Sequence, residues 1–498
     1  MEADRDTDVP RSLAARVWRL GVNSSLYSIA SVLTQGLQFF LVPLYTRVLT
    51  PADFGILSFT STLYSFLSIV LGLSVGTAVG RLYFEAQTPE SKRTLYGTLL
   101  LFHVVAPTLI VIGIDAWGMS GGLDLFGGVP YRPYLRITLW AAYCYLFQTI
   151  PLGVYTASQR PRQVILLTVG STALTVGLAL YLIVIRRLGV VGALTALLVS
   201  NGVFAAISLI LMIRMSSLHP SLRMLKRALA YTVPLVPHLI AGWGISLSDR
   251  ILLQPRVSLE ALGLYSLGCQ VASVVSLVAA SINSAVSPMV LGQLKSDRTD
   301  EVPVLGTYAL AAIAFVCLGT SVLGGDAIHL LVPKRFYGAA AFIPWVALGN
   351  GFLGVYFIWS LGTWFSMRTM WIPISTAAAF ALNIGLNLWL IPRYGAYAAA
   401  VTTCVSYLAL ALFHGALASM LHRVDWEYGR WARLVIVGLA CFALARALMA
   451  GSLWLRILIH TVVVFFLFPL GLAVSGFVRP GEWRFLRQRW VELRSRRI

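Results

Sequence analysis

Long unbroken apolar stretches dominate this chain, and polar positions gather mostly in short segments between them. A helix needs roughly 20 apolar residues to cross a bilayer. On that scale the pattern predicts about fourteen transmembrane helices: near 23–47, 54–79, 94–115, 134–158, 164–185, 190–213, 229–253, 261–290, 303–324, 340–366, 370–391, 394–421, 432–449 and 453–478. A strand reading fails because the runs are too long and lack period-two alternation. The expected fold class is therefore all-α, a polytopic membrane protein.

A second pattern lies on top of the first. Gly177, Leu178, Leu180, Tyr181, Leu182 and Ile183 recur as Gly385, Leu386, Leu388, Trp389, Leu390 and Ile391, 208 residues later. The same offset carries Gly55-Ile56-Leu57-Ser58 onto Gly263-Leu264-Tyr265-Ser266. The implied organisation is a cytoplasmic segment 1–22, an N-lobe 23–213, a basic connector 214–228, a C-lobe 229–421, two further spans within 422–478 and a basic amphipathic tail 479–498. Six spans per lobe make the repeat parallel, and duplicated membrane bundles commonly bind their cargo where the halves meet.

Composition sharpens the class. Hydrophobic residues make up 58% and charged residues 11%, with a mean hydropathy of +0.80; soluble domains carry about a quarter charged residues. The net charge of +19 is spread over short loops and helix ends rather than gathered on one face, which argues against nucleic acid. Placing the N-terminus inside puts 26 of the 38 Lys and Arg residues on the cytoplasmic side, so both termini are expected there. The five cysteines lie in apolar spans without metal-type spacing, no metal or cofactor is expected, and no GxxxxGK[ST] phosphate loop occurs.

Chemistry must come from the few polar residues inside the spans. In the first span Asn23, Tyr27, Ser31, Thr34, Gln35 and Gln38 recur every three or four residues and so share a face. Lipid cannot satisfy amides, so that face is expected against protein or a water-filled cavity. The seventh span carries Tyr231, His238, Gly242, Ser246 and Asp249 at comparable spacing, and its Pro234 and Pro237 suit a bend. Arg47 and Arg250 end the equivalent helices of the two lobes. Either they flank a cavity, or each snorkels or pairs with a neighbour, Asp249 being the obvious one for Arg250. Arg81 closes the second span beside Glu85. Trp243, Trp359 and Trp364 suit either sugar stacking or interface packing, and His103, His414 and His460 suit hydrogen bonds between helices.

The run LVPLYTRVLTPADFGILSFTSTLYSFLSIVLGLSVGTAVGRLYFE, then YTVPLVPHLIAGWGISLSDRILL, then ALNIGLNLWLIPRYGAYAAAVTTCVSYL, resembles the flippases of the multidrug/oligosaccharidyl-lipid/polysaccharide exporter superfamily, in particular transporters of O-antigen or exopolysaccharide repeat units. The resemblance implies two lobes that open alternately to either side of the bacterial inner membrane. Its implied cargo is an undecaprenyl-pyrophosphate-linked oligosaccharide, moved for surface polysaccharide biosynthesis by a non-enzymatic monomeric transport unit. Polysaccharide polymerase and chain-length machinery are the implied partners, besides membrane lipids. Arg is suited to pyrophosphate because its guanidinium stays charged and contacts phosphate bidentately. Arg81, Arg250 and Arg47 are the phosphate candidates; Asn23, Tyr27, Gln35, Gln38 and His238 line the expected polar path; Asp249 and Glu85 are the candidates for ion coupling. A peptidoglycan-precursor flippase and a multidrug or cation antiporter of the same fold are the alternatives.

Overall fold

A computed structural model describes residues 33–482 apart from 35, 38–40, 123–127, 218, 296–300, 367, 369, 422, 423, 449, 450 and 480. Among the described residues every regular element is helical. After helical residues 41–48 come α1 (Pro51–Gly72), α2 (Val75–Glu85), α3 (Pro89–Met119), α4 (Arg136–Ala157), α5 (Pro161–Leu180), α6 (Gly189–Met215) and α7 (Leu222–Thr232). There follow α8 (Val236–Leu253), α9 (Leu259–Lys295), α10 (Val302–Leu331), α11 (Ile343–Phe365), α12 (Trp371–Leu421), α13 (Tyr428–Ala447), α14 (Leu453–Val462) and α15 (Phe468–Val474). Twelve helical stretches among the described residues are long and apolar enough to cross a membrane. The protein is thus an all-α, multi-pass membrane protein.

Two of those stretches are broken inside. The span Pro51–Glu85 bends between α1 and α2, where Leu73 and Ser74 both take left-handed φ values of 42° and 53°. The 51-residue α12 would be about 76 Å long if straight, far beyond a hydrocarbon core of about 30 Å. It turns at Gly395, whose φ of 59° no side chain tolerates well, three residues after Pro392 removes a backbone donor.

The chain divides into two compact units: Met1–Leu49 with Phe59–Ile240, and Thr50–Ser58 with Ala241–Ile498. The core of the first is built from Val75, Val79 and Leu82 of α2, Leu95 and Leu99 of α3, Phe147 and Ile150 of α4, Met212 of α6 and Ala228 of α7. Part of the basic connector is therefore folded rather than loose. Ser217 N–H donates to Arg93 O (2.9 Å) and Ser221 N–H to Thr98 Oγ1 (2.9 Å), after which the Ser221 hydroxyl caps α7 by accepting from Met224 N–H. α7 buries Ala228 and Thr232 and turns Arg223, Lys226 and Arg227 outward. A single 3-10 turn, Val233–Leu235, containing Pro234, joins α7 to α8.

In the second unit, Ile245 of α8, Tyr356 of α11, and Ala379, Tyr407 and Leu410 of α12 form one core. Its best-defined crossing is that of the opening turns of α1 with α9. A Cβ on Gly55 would sit 2.0 Å from Leu259 O, and one on Gly263 would sit 1.9 Å from Pro51 O. Ser58 Oγ donates to Ser266 Oγ at 2.6 Å across the same contact. Each pair is displaced by the 208-residue offset of the repeat, so residue i meets j as j meets i, the mark of a local two-fold. Only glycine lets the backbones come this close.

Candidate functional site

Arg81 lies on the last turns of α2, in the first unit. Its side chain is 60% exposed, and its Nε stands 3.4 Å from Glu85 Oε1, one helical turn on. Docking of α7 brings Tyr231 beneath it, with the guanidinium carbon 5.0 Å from the ring centroid. Ring and carboxylate steer the guanidinium without covering it, so it keeps donors for an anion. Lys92 of α3 stands over the ring of Tyr83 of α2, 4.0 Å from its centroid. His238 is half-buried just after the 3-10 turn, and its Nδ1 has no hydrogen-bond partner among the described residues.

Arg250 is handled differently. On α8 in the second unit its side chain is 10% exposed, and Nη1 donates to Asp249 Oδ1 (3.2 Å) and to Ser246 O (3.1 Å). Asp249 also accepts from Arg250 N–H at 2.8 Å and from the Tyr265 hydroxyl of α9, and the guanidinium lies over the Tyr265 ring. Of the two readings that spacing left open for Arg250, the structure has the pair with Asp249. One turn away Ser246 bonds Tyr407 OH at 2.7 Å, so both Ser246 and Asp249 join α8 to its neighbours. Arg47 is exposed at the end of the helical residues 41–48. Asn23, Tyr27, Ser31, Gln35 and Gln38 lie outside the described residues, as does the tail from 483 onward.

The other singled-out side chains divide in the same way. His414 bridges helices, with Nε2 2.9 Å from Thr363 Oγ1, and His460 does so through Asp326 at 2.5 Å. His103 departs from the interhelical expectation: its Nδ1 bonds Leu99 O of its own helix at 3.0 Å. Trp359 packs on Trp431, ring centroids 5.8 Å apart, and against Gly415. Spacing gave no notice of Tyr231 as the partner of Arg81, or of Tyr265 as the partner of Asp249. Tyr265 stood inside the repeated motif, which is the one signal that pointed to it.

Just past the last span, Glu482 accepts from Arg430 at 3.1 and 3.2 Å, from Tyr308 OH at 3.0 Å and from Arg479 N–H at 2.7 Å. Partial burial pushes its carboxyl up, but these donors outweigh that and hold it below the usual carboxylate range. Glu427 adds contacts to Arg430 (2.8 Å) and Arg479 (2.5 Å), closing a clasp over the start of α13.

Similarity to known proteins agrees with this architecture. An uncharacterized membrane protein of Haemophilus influenzae is 26% identical over 329 residues, covering 64% of this chain and 78% of the relative. Among solved structures, a lipid II flippase MurJ in an inward closed conformation matches with a TM-score of 0.72 and 16% identity, covering 91% of this chain and 98% of that one. An inward-facing multidrug resistance MATE transporter of the MOP superfamily matches with a TM-score of 0.60 and 14% identity, covering 79% and 94%. At such identities the likeness is one of fold. The family described as Polysaccharide biosynthesis protein matches residues 20–292, more than half of the chain. With its membrane-spanning helices in a fold like that of these two solved proteins, this chain belongs to that polysaccharide biosynthesis family.

Proposed function

We propose that the protein is a flippase that carries undecaprenyl-pyrophosphate-linked oligosaccharide repeat units from the cytoplasmic to the outer leaflet of the bacterial inner membrane by alternating access. Burying an unpaired glycan and pyrophosphate in hydrocarbon is too costly for unaided crossing, so the protein need supply only a polar, cationic path while the lipid tail stays in the bilayer. The observation that carries this reading is Arg81: exposed, steered by Glu85 and Tyr231, and in a chain of the polysaccharide biosynthesis family. In this reading Arg81 receives the pyrophosphate as the substrate enters, with Arg47 and His238 further along the path. Asp249 and Arg250 hold α8 to α9, and Asp249 is then a coupling residue only if that tie opens during the cycle. The 3-10 turn at Val233–Leu235, with Pro234 inside it and Pro237 just after, lies shortly before the boundary of the two units at Ile240 and is the hinge in this reading. Outward movement of a dianion from a negative interior is downhill by roughly 2.3 kcal/mol per charge at about 100 mV, so export needs no coupling ion.

Deleting the gene should abolish a surface glycan and leave its lipid-linked repeat inside. Wild-type protein should restore export and Arg81→Ala should restore it only to about a tenth; full restoration by Arg81→Ala would remove that residue from the mechanism. A peptidoglycan-precursor flippase is the second reading, favoured by the extent of the fold match to the lipid II flippase. Rescue of a strain depleted of its lipid II flippase, with surface glycan unaffected by the deletion, would favour that reading over the first.

A further inference from the structure

A cavity of about 660 Å³ runs along the second unit between α10, α11 and α13, with no residue of α8 in its lining. Its walls include Leu310 and Leu318 of α10, Leu348 and Phe352 of α11, and Val435 and Leu439 of α13. Val435 and Leu439 are 58% and 60% exposed, so the groove is open along one side. Its two ends differ in chemistry. At one end Trp431 donates to Thr307 near the start of α10. At the other, His460 ties Ala445 O to Asp326 near the end of α10, which sets Arg446 beside the mouth of the groove. Trp345 and Tyr397 line the same mouth, joined by a 2.6 Å bond from the indole N–H to the hydroxyl. The guanidinium of Arg446 has no hydrogen bond or ion pair with any described residue.

An apolar groove of this size on a membrane helix bundle offers water too few partners to hold it and is too large to stay void. From Trp431 to Arg446 it extends over fifteen residues of α13, about 22 Å. That length suits one acyl chain laid along the helix. The mouth has the chemistry of a membrane interface, an aromatic pair and an unspent arginine, which together suit an anionic headgroup. We propose that this groove binds one anionic phospholipid, its phosphate on Arg446 beside Trp345 and Tyr397 and one acyl chain between α10, α11 and α13. The occupant is a resident of the bilayer, not the transported substrate, so the assignment stands or falls apart from the flippase reading.

The test uses delipidated full-length protein titrated with phosphatidylglycerol or phosphatidylethanolamine, with retained lipid counted by native mass spectrometry. One phosphatidylglycerol should bind per chain in preference to phosphatidylethanolamine. Leu348→Trp, which fills the groove from α11, should weaken retention at least tenfold, and Leu439→Trp from α13 serves if the first variant fails to fold. Arg446→Gln should erase the headgroup preference, whereas Arg187→Gln, an exposed arginine in the other unit, should not. Equal retention by wild type and the groove-filled variants would overturn the assignment. So would retention of a polyprenyl phosphate, offered in the same titration, in place of phospholipid.

Discussion

Arg81 and Arg250 are the same residue type on the last turns of membrane-spanning helices, yet their surroundings give them opposite work. In the first unit Arg81 is 60% exposed, touched by a carboxylate from one turn away and by the face of one tyrosine. In the second, Arg250 is 10% exposed and shares Asp249 with a tyrosine from the next helix. An exposed pair is weak because water competes for both charges, so its guanidinium is available to a stronger anion. A buried pair has lost its water and must keep its partner. Availability, rather than residue type, separates a candidate phosphate ligand from a structural tie.

The comparison breaks most directly at Asp249. Removing that carboxylate as Asp249→Asn strands the buried guanidinium and should cost about 3–5 kcal/mol of stability, read as a lowered melting temperature of the full-length protein. Replacing both partners, as Asp249→Leu with Arg250→Met, should recover much of the loss. If the single variant melts like wild type, the tie is not structural. For Arg81 the expectation is reversed: Arg81→Ala should leave stability within about 0.5 kcal/mol while reducing glycan export about tenfold, the effect of losing one charge-assisted contact worth about 1.5 kcal/mol. Arg81→Lys should fall between the two, because an ammonium lacks the bidentate fork.

The clasp at Glu482 is an intermediate case that sharpens the contrast. Its carboxyl is held below the usual range in the folded protein, so its contribution is fully present above the ordinary carboxylate value and lost as pH falls through the lowered one. Melting temperature measured downward from neutral pH should therefore fall less in Glu482→Gln than in wild type, by a few degrees at most. A parallel decline in both would remove the clasp from the acid sensitivity. The smallest effect is expected at Glu85. Glu85→Gln should change stability by less than about 0.5 kcal/mol, and export should persist because Tyr231 still supports the guanidinium.

Much of the fold was legible in the residues because a membrane span is a local property, set by apolar length along one helix. The repeat was legible for a related reason: duplication leaves a constant offset, and Gly55 with Gly263 and Ser58 with Ser266 meet at that offset in the structure. The break at Leu73–Ser74 was less so, since a non-glycine residue at positive φ leaves little mark in composition, whereas the turn within α12 falls at Pro392 and Gly395, where the pattern predicts one span ending at 391 and the next starting at 394. What the chain alone determined is therefore its class, its spans, its duplication and the helix face on which each polar residue lies. Which face meets which was decided only by tertiary packing: the rotation of α9 that carries Tyr265 to Asp249, and the docking of α7 that carries Tyr231 to Arg81. Helical periodicity fixes direction within one helix but says nothing of the neighbour opposite, and that neighbour determines whether an arginine is committed or available.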